Sequence, residues 1–257
     1  CIPEHLCIGE CLFYIEMVQQ SSTTERNESN NQMYLVDLSR VVSNADTQED
    51  VLSETQGLWE AIYERMEPTE TLWVVAPNAY RDGRLWPVAM EVADYAREES
   101  DLILKNTITI HQWEDRGADM ESAYDEVLFF VKDKRKYQFH KDDIRVAHVY
   151  EGNEWGGERE EGNSAYHDTK VRRYNPDGKD PGNVWLEEDR TQTDNQEVDE
   201  VGPIPLEEAL RRCLLVGSGE GETVYTLWTN DIEDVVASEE RVTEQLDATA
   251  LREEVSG

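Results

Sequence analysis

The run QMYLVDLS, residues 32–39, is an apolar core, Met33-Tyr34-Leu35-Val36, closed by Asp37 and Ser39. A compact β-rich run that ends in polar residues marks a strand with both faces covered. TLWVVAP, residues 71–77, repeats the form. Between the two, Leu58, Ala61, Ile62 and Met66 fall on one face of a helix over 53–66. Beyond the second, Trp86, Met90, Ala93 and Ala96 do so over 85–98. NTITIHQW (106–113), YDEVLFFVK (124–132) and ETVYTLW (222–228) add strands, and a helix starts at Pro205, a residue tolerated in a first turn. Strand alternating with helix predicts an α/β fold: a doubly wound, mostly parallel sheet with helices on both faces. Such sheets take ligands at the carboxyl ends of their strands.

The chain has 257 residues and a formal charge of −33, from 57 Asp and Glu against 24 Lys and Arg. That excess would suit disorder, but 38% hydrophobic residues, 7 Trp and 11 Tyr supply a core. Acid spread through periodic apolar segments reads as the solvated surface of a halophilic protein. Cysteines 1, 7, 11 and 213 and histidines 5, 111, 140, 148 and 167 show no zinc-ligand spacing, so no metal site is expected and the thiols suit a reducing cytoplasm. No run of 18 or more apolar residues occurs, so no membrane-spanning helix is expected. The first residue, Cys1, follows neither Met nor a leader and reads as a trimmed start.

The middle departs from this pattern. Between residues 132 and 190 there are 12 Lys or Arg against 14 Asp or Glu, so nearly all the acid excess lies elsewhere. VRRYNPDGKDPGNVW, residues 171–185, packs three cations, two aromatics and four glycines or prolines into one loop-like segment. A surface relieved of acid can approach a polyanion that the rest of the chain would repel. Lys134, Arg135, Lys136, Arg172, Arg173 and Lys179 are the candidate phosphate contacts. Tyr174, Asn175 and Trp185 would order the loop or touch bases. Trp155 and Tyr166 could stack on bases or bury a small core.

YDEVLFFVKDKRKYQFHKDDIRV followed by VRRYNPDGKDPGNVW resembles the central region of DNA amino-methyltransferases, which methylate the exocyclic amine of adenine or cytosine. Correspondence is good over about 106–190. It extends more weakly through HLCIGECLFYI at the start, WVVAPNAYRDGRLWPVAMEVA, and the helix leading to EGETVYTLW. The resemblance implies a Rossmann-like methyltransferase domain in two parts, 1–131 and 199–257, around an inserted loop-rich target-recognition region, 132–198. It also implies S-adenosylmethionine as cofactor and double-stranded DNA as partner.

The family's catalytic turn, Asp/Asn/Ser-Pro-Pro-aromatic after a strand, holds the amine of a flipped base and stacks on its ring. The matching residues are Asp37, Leu38, Ser39 and Arg40, so Asp37 is kept while both prolines and the aromatic are not. Alone, Asp37 could polarise an amine or simply end a strand. The family's cofactor turn, Asp-Pro-Phe-x-Gly-x-Gly, lets backbone approach the methionine part of the cofactor closely. Thr226, Leu227, Trp228, Thr229, Asn230, Asp231 and Ile232 stand there, with side chains at both glycine positions, and Asn230 and Ile232 are expected to fill cofactor space. VGSGEG, 216–221, precedes the strand and reads as a helix-to-strand turn.

Two altered motifs imply a catalytically impaired family member that binds DNA, as a homodimer or as a heteromer with an active methyltransferase in a modification system. The alternatives are an active enzyme with divergent motifs, in which Asp37 handles the amine and Tyr225 or Trp228 contacts the cofactor, or an unrelated acidic binding domain.

Overall fold

The structure, a computed structural model, describes residues 32–111, 124–146, 177–185, 204–229 and 232–256. All of them lie in the compact unit Asn31–Gly257. Strand β1 (Gln32–Asp37) leads through helices α1 (Ser39–Asn44), α2 (Gln48–Thr55) and α3 (Leu58–Arg65) to β2 (Thr71–Ala76). A small hairpin, β3 (Ala79–Arg81) and β4 (Arg84–Trp86), precedes α4 (Val88–Glu99), β5 (Ile103–His111) and β6 (Tyr124–Val131). After a short 3-10 turn (Lys141–Ile144) come β7 (Val184–Trp185), α5 (Leu206–Gly217), β8 (Thr223–Leu227), α6 (Glu233–Ser238), β9 (Val242–Gln245) and α7 (Ala248–Ser256).

Seven strands form one sheet in the order β7-β5-β6-β2-β1-β8-β9. β1 pairs in parallel with β2 and β8, β8 with β9, and β5 with β7, while β6 alone runs against its neighbours β2 and β5. This is the mostly parallel sheet, with helices on both faces, that the sequence pattern predicts.

Residue alternation sorts the core into two layers, because successive side chains leave a strand on opposite faces. Tyr34, Val36, Leu72, Val74, Leu128, Phe130, Tyr225 and Leu227 pack with α1 to α4 and α7. Met33, Leu35, Trp73, Val75, Val127, Phe129 and Val224 pack with α5, α6, Ile144 and Trp185. All six residues of β2 are buried, as expected of a central strand covered on both sides.

Two helix expectations shift. The pattern assigned to one helix over 53–66 is split, because Gly57 takes a positive φ of 74° and ends α2 before α3 begins. The Glu99 carboxylate then accepts the N–H groups of Gly57 and Trp59, at 2.6 and 3.2 Å, and caps α3 from a neighbouring helix. In α4 the buried face is Val88, Ala89, Val92, Ala93 and Ala96, and Met90 is 67% exposed. The helix starts only after Pro87, so Trp86 belongs to β4, and of the expected face Ala93 and Ala96 are buried while Met90 is not.

At the foot of β2, Glu70 is buried and accepts the Glu67 N–H at 2.8 Å. Burial, helped by the charge of Glu67, pushes its pKa up from 4.5 to about 7, against the pull of backbone N–H donors and Lys132. The folded state therefore holds this proton longer than the unfolded chain. Its contribution is full below pH 4.5 and is lost as pH rises through 7. Glu70→Gln is expected to raise stability at pH 8 by on the order of 1 kcal/mol, about 2–4 °C in Tm, and to add nothing at pH 4.5. Thermal melts of both proteins across this range check it; parallel pH profiles would refute the assignment.

Candidate functional site

The chain leaves β1 through α1 to α3 toward β2, on one side, and leaves β8 through α6 toward β9, on the other. The carboxyl ends of β1 and β8 therefore flank the crevice where strand order reverses, the usual ligand position in such sheets. Val36 is in register with Leu227, so Asp37 and Trp228 leave neighbouring strands side by side. The structure thus brings Asp37, Ser39 and Arg40 to the same crevice as Thr226, Leu227 and Trp228. Asn230 and Asp231 lie outside the described residues.

Asp37 is 6% exposed, and its Oδ1 accepts the Ser39 N–H at 2.8 Å. Leu38 has helical backbone angles (φ −83°, ψ 0°), is fully buried, and donates its N–H to the Val75 carbonyl at 3.0 Å. Helix α1 starts at once with Ser39. Its far end is held by Arg81 of the β3–β4 hairpin, whose guanidinium donates to the carbonyls of Val42 and Ser43 at 3.0 and 3.2 Å and lies 5.0 Å from the Trp86 ring centre. The segment is pinned at both ends. The N–H groups of Leu38 and Ser39 are both used here, and prolines at those positions would have none. Arg40 is exposed and offers a charge where a stacking ring would be needed. Beside Asp37, Ala76 pairs with Glu126, whose carboxylate accepts the Asn78 amide at 3.5 Å, so the crevice rim carries further negative charge.

On the cofactor side, Thr226 and Leu227 are each 2% exposed and belong to the strand. Trp228 turns the chain with a positive φ of 59°, unusual for a bulky residue, and packs against the core layer that contains Leu38. Ile232 is 2% exposed within the opposite layer, so its side chain fills core and not, as expected from the sequence, cofactor space. No glycine lies from Thr226 to Ile232. A turn carrying a packed indole does not fit the close backbone approach that the methionine end of S-adenosylmethionine requires. Sequence reasoning passed over β9, whose run VTEQ is mostly polar. Just past it stands Asp247, but its carboxylate accepts the Thr249 and Ala250 N–H groups at 2.9 and 2.8 Å and caps α7. Asp37 Oδ1 and Asp247 Oδ1 thus each accept backbone N–H groups close by in the chain.

The basic candidates divide. β6 runs opposite to β2, with Val131 paired to Thr71, so the turn that follows it lies at the amino end of the sheet. Lys134, Arg135 and Lys136 are therefore separated from Asp37 by the length of β2, roughly 16 Å. Lys179 bridges by its backbone to Val146, and Trp185 is 2% exposed in the core, its Nε1–H donating to the Gly182 carbonyl at 3.2 Å. Arg172, Arg173, Tyr174 and Asn175, like Trp155 and Tyr166, lie outside the described residues. VGSGEG closes α5 and leads into β8, with the Gly219 N–H on the Glu222 carboxylate at 2.7 Å. Among the described residues no group of His, Cys, Asp or Glu could hold a metal ion, and no helix is long and apolar enough to cross a membrane.

A family model described as DNA methylase, covering N6 and N4 methyltransferases, matches residues 30–225. No curated protein matches the chain. Among solved structures, the cytosine-N4-specific PvuII DNA methyltransferase is similar at a TM-score of 0.54 and 10% identity, covering 86% of this chain and 78% of that one. A candidate DNA modification methylase from Thermus thermophilus, complexed with S-adenosyl-L-methionine, gives 0.48 and 15%, covering 88% and 85%. At these identities the likeness to PvuII methyltransferase shows the fold.

Proposed function

The chain belongs to the DNA methylase family, and from that premise we propose that it binds duplex DNA without methylating it, serving as the DNA-binding or structural partner of an active methyltransferase in a modification system. The observation that carries this reading is the segment after β1. Asp37 Oδ1 accepts the Ser39 N–H at the start of α1, Leu38 is buried, and both N–H groups that the family's prolines would lack are hydrogen-bonded. The crevice keeps the family's strand ends but not a turn shaped to present acceptors to a base. The Trp228 turn supports the same reading, since it replaces a glycine cradle with a packed indole. Acid over the rest of the surface suits a high-salt cytoplasm, where a Debye length near 3 Å at ~1 M leaves shape and hydrogen bonds to set DNA affinity.

Arg172, Arg173, Tyr174, Asn175 and Lys179 are the proposed duplex contacts, with the arginines on phosphates. Arg172→Ala combined with Arg173→Ala is expected to weaken duplex binding and to lower the slope of log affinity against log salt by about 2. Anisotropy titrations at several salt concentrations measure both, with and without S-adenosylmethionine. Wild-type affinity that the cofactor leaves unchanged supports a non-catalytic binder. An unaltered affinity and slope in the double variant removes the arginines from the interface.

A further inference from the structure

The amino end of the sheet carries a feature that the proposed duplex binding does not use. Over residues 132–145 there are six Lys or Arg against three Asp, in a chain of −33. Tyr137 and Phe139 are interleaved with them. Trp73, buried in β2, stacks on Phe129 at 4.4 Å between ring centres and 14° between planes. Phe129 stacks in turn on Phe139 at 5.5 Å and 23°. The stack ends in solvent, because Phe139 is 43% exposed. Tyr137 meets Phe129 and Phe139 edge-on, and Lys105 Nζ lies 5.0 Å from the Tyr137 ring centre. Lys105, Lys134, Arg135, Lys136 and Lys141 are all exposed.

Two hollows adjoin this stretch. One, of about 330 Å³, includes Phe139, Lys141, Asn106, Asn183 and Trp185 in its lining. The other, of about 460 Å³, is lined by Ile103 and by Lys132 to Arg135. Three of the acids nearby are engaged locally: Asp133 accepts the Arg135 N–H at 2.8 Å and lies 3.9 Å from Lys136, Asp142 pairs with Arg145, and Asp180 accepts the Gly182 N–H, while Asp143 is exposed.

We propose that this end of the sheet is a binding site for single-stranded nucleic acid, with an unpaired base stacking on Phe139 and the adjoining phosphates meeting Lys134, Arg135, Lys136 and Lys141. An aromatic face open to solvent beside a hollow and ringed by cations is the arrangement that takes unpaired bases without sequence preference. A base inside a duplex is stacked on both faces and cannot reach such a ring. The charge contrast points the same way, since cations gathered on so acidic a chain place attraction for phosphate at one spot. The site lies across the sheet from Asp37 and Trp228, and it stands whether or not the duplex reading holds.

The test is fluorescence anisotropy of the full chain with a labelled oligothymidylate of about 20 nucleotides, beside a labelled duplex of equal length. Wild type is expected to bind the single strand. Phe139→Ala should weaken that binding about 5- to 150-fold, Phe139→Trp should retain it, and both should leave duplex affinity unchanged. Lys134→Ala, Arg135→Ala and Lys136→Ala together should lower the single-strand salt slope by about 2. No single-strand binding by wild type down to about 50 mM salt would overturn the proposal, as would Phe139→Ala binding like wild type. A third overturning result is self-association, seen by light scattering, that Phe139→Ala abolishes while oligothymidylate binding stays intact. That outcome would assign the patch to the acidic surface of a second copy.

Discussion

Incubated with duplex DNA of mixed sequence and radiolabelled S-adenosylmethionine in molar salt, the isolated chain is expected to transfer no measurable methyl group, and the cofactor is expected not to saturate it. Methyl transfer needs the amine in line with the sulfonium methyl, and orientation of reacting groups supplies about 7–11 kcal/mol of a barrier when it is complete. In this crevice Asp37 Oδ1 already accepts the Ser39 N–H, and the Leu38 carbonyl, at the first proline position, already accepts the Val42 N–H at 2.8 Å. With Arg40 in place of a ring, the stacking that holds a flipped base, about 1–3 kcal/mol, is also lost. Losing half of the orientation and all of the stacking costs roughly 5–8 kcal/mol, or about four to six powers of ten in rate. Asp37→Ala is the control. Incorporation by wild type that vanishes in this variant would show Asp37 accepting from the amine and would make the chain an active enzyme.

Much of the sheet could be read from apolar runs because its central strands are buried on both faces. QMYLVD, TLWVVA, YDEVLFFV and TVYTL are unmistakable for that reason. The outer strands were not readable. β7 is two residues long, and β9, VTEQ, has one apolar residue, because an edge strand needs only partial cover. Helix phase failed at α4, where Pro87 sets the start and a count from Trp86 puts exposed Met90 on the buried side. Gly57 interrupts what periodicity alone makes one helix, since a positive φ leaves no trace in an apolar pattern.

At the site, residue identity and residue placement came apart. Asp37 and Trp228 lie side by side only because β1 and β8 pair in parallel at a fixed register, and that pairing joins residues far apart in the chain. The basic turn was recognisable as basic, but not its end of the sheet. A run such as YDEVLFFV looks the same whichever way it points, and the reversal of β6 carries Lys134, Arg135 and Lys136 away from the crevice. Ile232 shows the converse: position in a motif suggested cofactor space, while its apolar side chain found a place in the core.

Restoring the family's turn by the combined changes Leu38→Pro, Ser39→Pro and Arg40→Tyr is expected to unfold the chain or nearly so, and not to create activity. Leu38 is fully removed from water, so replacing it with a smaller ring leaves a gap in the layer formed with Val42, Leu58 and Leu72, and large-to-small changes at such sites cost about 2–5 kcal/mol. Proline at 38 also removes the N–H that reaches the Val75 carbonyl, and proline at 39 the N–H that satisfies Asp37 Oδ1. A buried acceptor left unsatisfied costs about 1–3 kcal/mol. Together, with both acceptors left, these reach about 4–11 kcal/mol, comparable to the whole stability of many domains. Leu38→Ala separates the terms, since it opens the same layer while keeping both N–H groups, and it should lose only the packing part. Denaturant unfolding of wild type, Leu38→Ala and the triple variant measures the difference. A triple variant as stable as wild type would mean that the segment can adopt the family's turn, and methyl transfer by that variant would show that only these residues separate the chain from an active methylase.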